Sequence, residues 1–281
     1  MPDEASPPPP LGDLPRHEAV RLRAAVTGRS RAALALDPSL TSEQAGRLAE
    51  LVRRRLEGEP LQYLEATVQF GPLELAADRR ALIPRPETEQ LWQMAVEALG
   101  EAGRDTVIVD LCTGSGNVAL ALKHSFPQAR VLATDISSEA LSLAEENAAR
   151  TGLEVELLQG DLFGPLPGSL RGRVDLLVAN PPYVSESEMA ALAPEVRQHE
   201  PREALVAGPS GDEMLARIAE DAGWWLGTGG HLFCEIAEMR AERARELFAS
   251  WDAEIRPDLA GRSRIVMARP RPESQPSVAS A

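Results

Sequence analysis

The stretch VIVDLCTGSGNVAL (107–120) reads as an apolar strand, a tight glycine turn and the opening of a helix. Gly114 and Gly116 free the backbone to turn sharply and to approach a ligand closely. Asp135 ends the next predicted strand, 19 residues beyond Gly116. A carboxylate at that place accepts hydrogen bonds from both hydroxyls of a nucleoside ribose. A sharp turn without a ligand has no need of strand, glycines, helix and acid in this order. The loop leaves the cofactor open. Gly114-Ser115-Gly116-Asn117-Val118-Ala119 satisfies the dinucleotide fingerprint G-x-G-x-x-A, and NAD and S-adenosylmethionine both present an adenosine ribose.

Around this turn the chain alternates strand and helix. Apolar strands are expected at 106–111, 130–134, 155–159, 174–179 and 231–236, with two closing strands at 254–257 and 263–268. Helices are expected at 89–99, 117–125, 138–150, 212–226 and 240–249. Apolar strands separated by helices imply a parallel sheet covered on both faces, an α/β fold. Upstream, 15–60 has helical spacing. Ala19, Leu22 and Val26 recur at three and four, and Thr41 or Ser42 caps a helix carrying Ala45, Leu48, Leu51, Val52 and Leu56. Residues 61–80 read as short strands. The division is a Pro-rich tail (1–13), a helical N-terminal domain (14–60), a β linker (61–87), the sheet domain (88–268) and a loose end (269–281). Arg53, Arg54 and Arg55 read as a solvated helix face.

The expected strand at 174–179 runs directly into Asn180-Pro181-Pro182-Tyr183. Ligands of open parallel sheets bind outside the carboxyl ends of strands. The prolines lack donors and fix φ, so the turn is rigid. The Asn180 side-chain oxygen and the Pro181 carbonyl remain as acceptors for a planar NH2 group, and Tyr183 supplies a flat wall. An amide or exocyclic amine nitrogen is a poor nucleophile. Holding both N–H groups aligns it with a methyl sulfonium and stabilises the positive charge that grows on it. Hydride transfer has no use for this arrangement, so the balance moves from NAD to S-adenosylmethionine. Asp161, in Gln159-Gly160-Asp161-Leu162-Phe163, follows the third strand and reads either as a turn cap or as a neighbour of the adenine.

Composition narrows the class. Of 281 residues, 43% are hydrophobic, enough for a full core. Against 43 acidic residues stand 29 basic ones, a net charge of −14. That argues against stable gripping of nucleic acid through phosphates, and leaves room for a protein partner with a basic surface. The two cysteines, Cys112 and Cys234, and the four histidines lack ligand spacing, so no metal site is expected. No apolar run reaches the roughly 18 residues of a membrane helix, and a polar, proline-rich start is unlike a leader peptide. A cytoplasmic protein free of the membrane is expected.

With these residues quoted, the sequence resembles the HemK/PrmC-type glutamine methyltransferases that modify peptide chain release factors. The resemblance covers roughly 28–268. It rests on GEPLQYL (58–64), LIPRPETE (82–89), DLCTGSGNVALAL (110–122), TDIS (134–137), GDLF (160–163), NPPYV (180–184), HEPREAL (199–205) and DLAGRSR (258–264). It implies a class I, Rossmann-like methyltransferase sheet behind a small helical N-terminal domain that docks the substrate. It also implies methyl transfer from S-adenosylmethionine to N5 of the glutamine in a Gly-Gly-Gln loop. By the resemblance, Thr113, Gly114, Ser115, Gly116 and Asp135 contact the cofactor, and Asp161 and Leu162 lie beside its adenine. Asn180, Pro181, Pro182 and Tyr183 hold the glutamine. Arg85, Glu87 and Thr88 lie where the linker nears the pocket, and Arg85 and Glu87 equally suit an ion pair that pins it.

Two departures stand out. The helical domain is short, and Cys112 stands where the family usually has glycine. Sister enzymes that methylate a large-subunit ribosomal protein share the Cys-Thr-Gly-Ser-Gly loop but lack a full LIPRPETE, which makes them the alternative. An N6-adenine methyltransferase of nucleic acid is a further one. Cys112, Cys234 and the pair Trp224-Trp225 read as buried residues. His199 and the weakly periodic segment 185–202 read as a substrate loop or as a plain surface connection.

Overall fold

The structure, a computed structural model, describes residues 14–271. The tail expected at 1–13 and all but three residues of that at 269–281 lie outside the described residues. Four helices come first: α1 (Arg16–Thr27), α2 (Arg31–Leu36), α3 (Ser42–Leu56) and α4 (Leu61–Glu65). Thr41 caps α3 in a capping box, its hydroxyl accepting from the Gln44 N–H while the Gln44 side chain accepts from the Thr41 N–H. α4 stands where strands were expected. Leu61 and Leu64, one helical turn apart, join Leu22, Val26, Leu48 and Val52 in one buried cluster. Burial against α1 and α3 thus decides a segment too short for its own periodicity to decide. The helical unit extends to Glu65. The linker that follows holds one hairpin, β1 (Thr67–Phe70) and β2 (Leu73–Ala76). The three consecutive arginines of α3 are paired rather than free: Arg53 with Glu50 and Glu57, Arg54 with Glu59, and half-buried Arg55 with Glu18 and Glu195.

The larger unit begins with α5 (Pro86–Leu99), β3 (Val107–Leu111), α6 (Asn117–Ser125), β4 (Arg130–Asp135), α7 (Ser138–Thr151), β5 (Glu156–Gln159) and β6 (Val174–Ala179). A short pair, β7 (Val184–Ser185) and β8 (Val206–Gly208), brackets α8 (Pro194–His199) and α9 (Arg202–Leu205). α10 (Glu213–Trp225), β9 (Leu226–Glu235), α11 (Ala241–Leu247), β10 (Trp251–Pro257) and β11 (Ser263–Pro270) complete it.

Seven strands form one sheet in the order β10-β11-β9-β6-β3-β4-β5. The sheet is mixed rather than parallel throughout. β11 lies between β9 and β10 and runs against both, because the short connection from β10 allows only an antiparallel return. β11 continues through Pro270, past the end expected at 268. Ile108, Leu176, Val178 and Phe233 pack towards α5 and α6, while Val109, Leu177 and Leu232 pack towards α10 and α11. Both faces are dry, which is why these strands read as unbroken apolar runs. Trp225 is buried, stacked on Phe163 with ring centroids 5.8 Å apart. Trp224, also expected in the core, is 42% exposed on the outer side of α10. Among the described residues no helix is long and apolar enough to cross a membrane.

β3 sits between β4 and β6, so the strand order reverses there and a crevice opens at their carboxyl ends. Asn147 of α7, fully buried, ties the linker to that crevice. Its amide donates to the Ala76 and Ser115 carbonyls at 3.3 and 3.0 Å, and its oxygen accepts from the Ala76 N–H at 2.6 Å. Asn147→Ala leaves three buried backbone groups unpaired. Urea unfolding is expected to show a loss of about 2–4 kcal/mol, and a loss under about 0.5 kcal/mol contradicts the clamp.

Candidate active site

Asp110, one residue from the end of β3, is buried. Its Oδ2 accepts from the Thr113 hydroxyl at 2.6 Å and from the Ala119 N–H at 3.1 Å. One carboxylate therefore holds the glycine turn and satisfies a free donor in the first turn of α6. Burial pushes its carboxyl up to about 7. The sequence reading passed over Asp110, although a lone acid inside an apolar strand was a usable signal.

The loops after β3, β4 and β5 are locked into one rim. The Thr113 N–H donates to the Thr134 carbonyl at 3.0 Å and the Gly160 N–H to the Asp135 carbonyl at 2.9 Å. The Thr134 hydroxyl donates to the Leu162 carbonyl at 2.9 Å. Asp135 accepts from the Gly114 N–H at 2.8 Å on one oxygen and from the Ser137 N–H at 2.9 Å on the other. Desolvation raises its pKa above the ordinary carboxylate value, and those backbone donors oppose the rise.

Cys112 has φ 55°, a left-handed conformation that costs a side-chain-bearing residue free energy and suits glycine. It borders the cavity rather than lying fully in the core, and burial pushes its thiol pKa up, away from nucleophilic use. Cys234 is buried in β9. Gly116 serves packing. A Cβ there would come within 3.1 Å of the Ala144 Cβ, so its bareness seats α6 on α7.

These loops enclose a cavity of about 290 Å³. Of the expected site residues, Thr88, Thr113, Gly114, Ser115, Asp135, Asp161, Leu162, Asn180 and Pro182 line it, joined by Asp110. Gly116, Pro181, Tyr183, Arg85 and Glu87 do not. Asp161 neither caps a turn with its side chain nor stands free, since it pairs with Arg217 of α10 at 2.7 Å. Arg85 and Glu87 do not pair with each other. Arg85 reaches Glu200, and Glu87 reaches Arg262 at 2.9 Å. The segment 185–202 is strapped down rather than loose, with Arg55 on Glu195, Arg85 on Glu200 and Arg79 against His199 at 3.2 Å. His199 stays out of the cavity, and Pro201, Glu203, Ala204 and Val206 form its wall instead.

Thr88, at the start of α5, is buried. Its hydroxyl accepts from Asn180 Nδ2 at 3.1 Å and donates to Glu235 Oε2 at 2.7 Å. The Asn180 amide nitrogen is thus turned inward and its oxygen is left for a ligand. Glu235, the lone acid of the expected apolar strand 231–236, carries the same signal as Asp110 and was absent from the sequence reading, and nothing local marks it as a partner of residues 88 and 180.

The groups suit an adenosine. Asp135 offers carboxylate oxygens at a strand end, and Ile136, Leu162 and Met214 supply apolar wall for a base. Among the described residues no group of three or more His, Cys, Asp and Glu side chains is placed to hold a metal ion.

Residues 92–208 match the Methyltransferase small domain family and residues 12–65 the PrmC N-terminal domain family. The release factor glutamine methyltransferase of Deinococcus radiodurans is 42% identical over 259 residues, covering 91% of each chain. That of Mycolicibacterium smegmatis is also 42% identical over 259 residues, covering 90% of each. Among solved structures, the T. thermophilus 16S rRNA N2 G1207 methyltransferase in complex with AdoMet and guanosine shares the fold. Its TM-score is 0.53 at 17% identity, over 73% of this chain and 50% of that one.

Asp135→Ala removes the cavity carboxylate at the end of β4 that is expected to take the ribose. Calorimetry is expected to show S-adenosylmethionine bound roughly 10–100-fold more weakly, while an unchanged affinity refutes the assignment. In the unsubstituted protein, affinity is expected to fall as pH drops through the raised Asp135 pKa, because the neutral carboxyl loses acceptor capacity.

Proposed function

This chain belongs to the release factor glutamine methyltransferase family, and we propose that it methylates the glutamine of the Gly-Gly-Gln loop of a peptide chain release factor. The reaction moves a methyl group from S-adenosylmethionine to the side-chain amide nitrogen, N5. When bound, S-adenosylmethionine supplies an electrophilic methyl on a sulfonium sulfur. The carbon–sulfur bond breaks as the nitrogen–carbon bond forms, and the proton that becomes acidic on nitrogen passes to water.

The observation that carries this reading is the orientation of Asn180. Its nitrogen is bound inward to Thr88, so its oxygen accepts one N–H of the substrate amide. The Pro181 carbonyl is assigned to the second N–H. Together they aim the nitrogen and favour the charge that builds on it. No side chain with a tuned pKa is needed as a base. Pro182 keeps the turn rigid beside the cavity, and Tyr183, outside the nucleotide cavity, is assigned to the substrate's side of Asn180.

On the cofactor side, Asp135 takes the ribose hydroxyls and the turn 113–115 passes the methionine portion. Leu162 borders the adenine, and the Asp161–Arg217 pair closes that end. Gly116 is assigned to packing instead. The helical unit, 14–65, is assigned to docking of the release factor. The Arg55–Glu195 pair supports this, since it fixes that unit to the segment whose continuation walls the cavity. A net charge of −14 supplies no basic face for stable nucleic-acid binding. We place the protein in the cytoplasm, where release factors work on ribosomes, away from the membrane.

Asn180→Ala is expected to keep S-adenosylmethionine affinity and to lose roughly 10²-fold or more in methyl transfer. Peptide mass spectrometry of the release factor checks this. Methyl instead on a ribosomal-protein glutamine, or on an adenine, overturns the substrate and keeps the cofactor chemistry.

A further inference from the structure

Three side chains from three segments form one hydrogen-bonded row at the site. Asn180 follows β6, Glu235 ends β9, and Thr88 opens α5. β6 and β9 are adjacent and parallel, with Ala179 opposite Cys234, so Asn180 and Glu235 stand side by side at the strand ends. Thr88 and Glu235 are each 1% exposed. Asn180 Nδ2 donates to Thr88 Oγ1 at 3.1 Å, and Thr88 Oγ1 donates to Glu235 Oε2 at 2.7 Å.

A primary amide is almost symmetric in shape. Only its partners decide whether oxygen or nitrogen faces outward. Here the decision rests on one proton. An ionised carboxylate can only accept, so it takes the single hydroxyl proton of Thr88. The Thr88 oxygen then accepts from the Asn180 nitrogen, and the Asn180 oxygen faces the substrate. A protonated carboxyl no longer fixes the direction of the row, because it can donate as well as accept. When its O–H donates to Thr88, the Thr88 proton turns to Asn180, and the Asn180 amide flips its NH2 outward. Two NH2 groups then face each other, and the glutamine nitrogen keeps only the Pro181 carbonyl and loses its alignment.

We propose that Glu235 is a positioning residue that acts through Thr88 to set the direction of this row, and so makes Asn180 an acceptor specific for an NH2 nucleophile. Glu235 touches neither substrate nor cofactor in this role. The inference rests on the methyl-transfer reading above and deepens it.

The surroundings place the switch in the working pH range. Burial pushes the Glu235 carboxyl up to about 7. Arg264 of β11 and Arg85 before α5 oppose that rise, while Glu87 adds to it. Tyr183 and Cys234 lie near Glu235 too, and burial holds both neutral, with Tyr183 pushed up to about 12. Methyl transfer at saturating S-adenosylmethionine and release factor is therefore expected to rise with pH through about 7. Asp110, also pushed up to about 7, sits on the cofactor side, where its titration acts on binding and is masked at saturation.

The test is kcat against pH, from about 6 to about 9, for the full chain and for Glu235→Leu, Thr88→Ser and Thr88→Val, with S-adenosylmethionine affinity measured by calorimetry. Glu235→Leu removes the acceptor and is expected to keep that affinity, lose roughly 10²-fold in kcat and lose the acid limb. Thr88→Ser keeps the hydroxyl and is expected to stay close to the parent. Thr88→Val is expected to match Glu235→Leu, and the double variant to be no worse than either, since all three break the same row. If Glu235→Leu keeps the parent kcat and acid limb, or if Thr88→Ser and Thr88→Val behave alike, the proposal is overturned. If Glu235→Leu does not fold, the two Thr88 variants decide. Parent protein that leaves the release factor unmethylated overturns the proposed function instead.

Discussion

A carboxylate buried beneath a glycine turn holds this site together. Asp110 takes the Thr113 hydroxyl and the Ala119 N–H on one oxygen, which fastens the turn to β3 below and to α6 beyond it. The cavity floor follows from that constraint. Thr113 is placed to bind the Thr134 carbonyl, Thr134 to bind Leu162, and the three loops close as a unit. Burying an acid costs free energy, and here the cost is partly offset by two hydrogen bonds and the electropositive start of a helix. Removing either partner would leave a buried acid unsatisfied, so the arrangement tolerates little change.

The second half of the site is held by charge between distant segments. Arg55, Arg79, Arg85 and Arg240 reach Glu195, His199, Glu200 and Glu188 in the stretch after the Asn-Pro-Pro-Tyr turn. Arg55–Glu195 and Arg240–Glu188 are partly buried ion pairs and Arg79–His199 is an exposed hydrogen bond, each of modest worth alone. The Arg85–Glu200 pair differs because Glu200 is buried, and a buried charge without its partner is strongly destabilising. Together they convert a segment with no strong periodicity into a wall of the cavity. Specificity of position, more than stability, is what such a set supplies.

Some of the architecture could be read directly from residues. The glycine turn, the acid at the end of β4 and the rigid turn after β6 announced themselves because each depends on backbone restrictions of a few neighbouring residues. A helix cap at Thr41 or Ser42 was legible for the same reason, and the structure places it at Thr41. Other features were not. Leu61 and Leu64 become helical only because α1 and α3 bury them. Trp224 and Trp225 are adjacent in sequence, yet a helix turns successive side chains by about 100°, and only Trp225 meets the core. Gly116 was read as a ligand contact, and its packing against Ala144 of another helix could not be read from the turn itself.

The sequence by itself determined the fold class and the type of cofactor, and singled out the residue proposed to meet the substrate nitrogen, since local spacing and backbone chemistry bear on all three. Tertiary structure alone decided who orients whom. Thr88, Asn180 and Glu235 lie 92 and 55 residues apart along the chain, and nothing local links them. Strand order brings β6 beside β9, and α5 lays Thr88 across their ends. The ion pairs of the wall were hidden for the same reason. A hydrogen bond or ion pair is set by distance in space, and distance in space is a property of the folded sheet rather than of any stretch of chain.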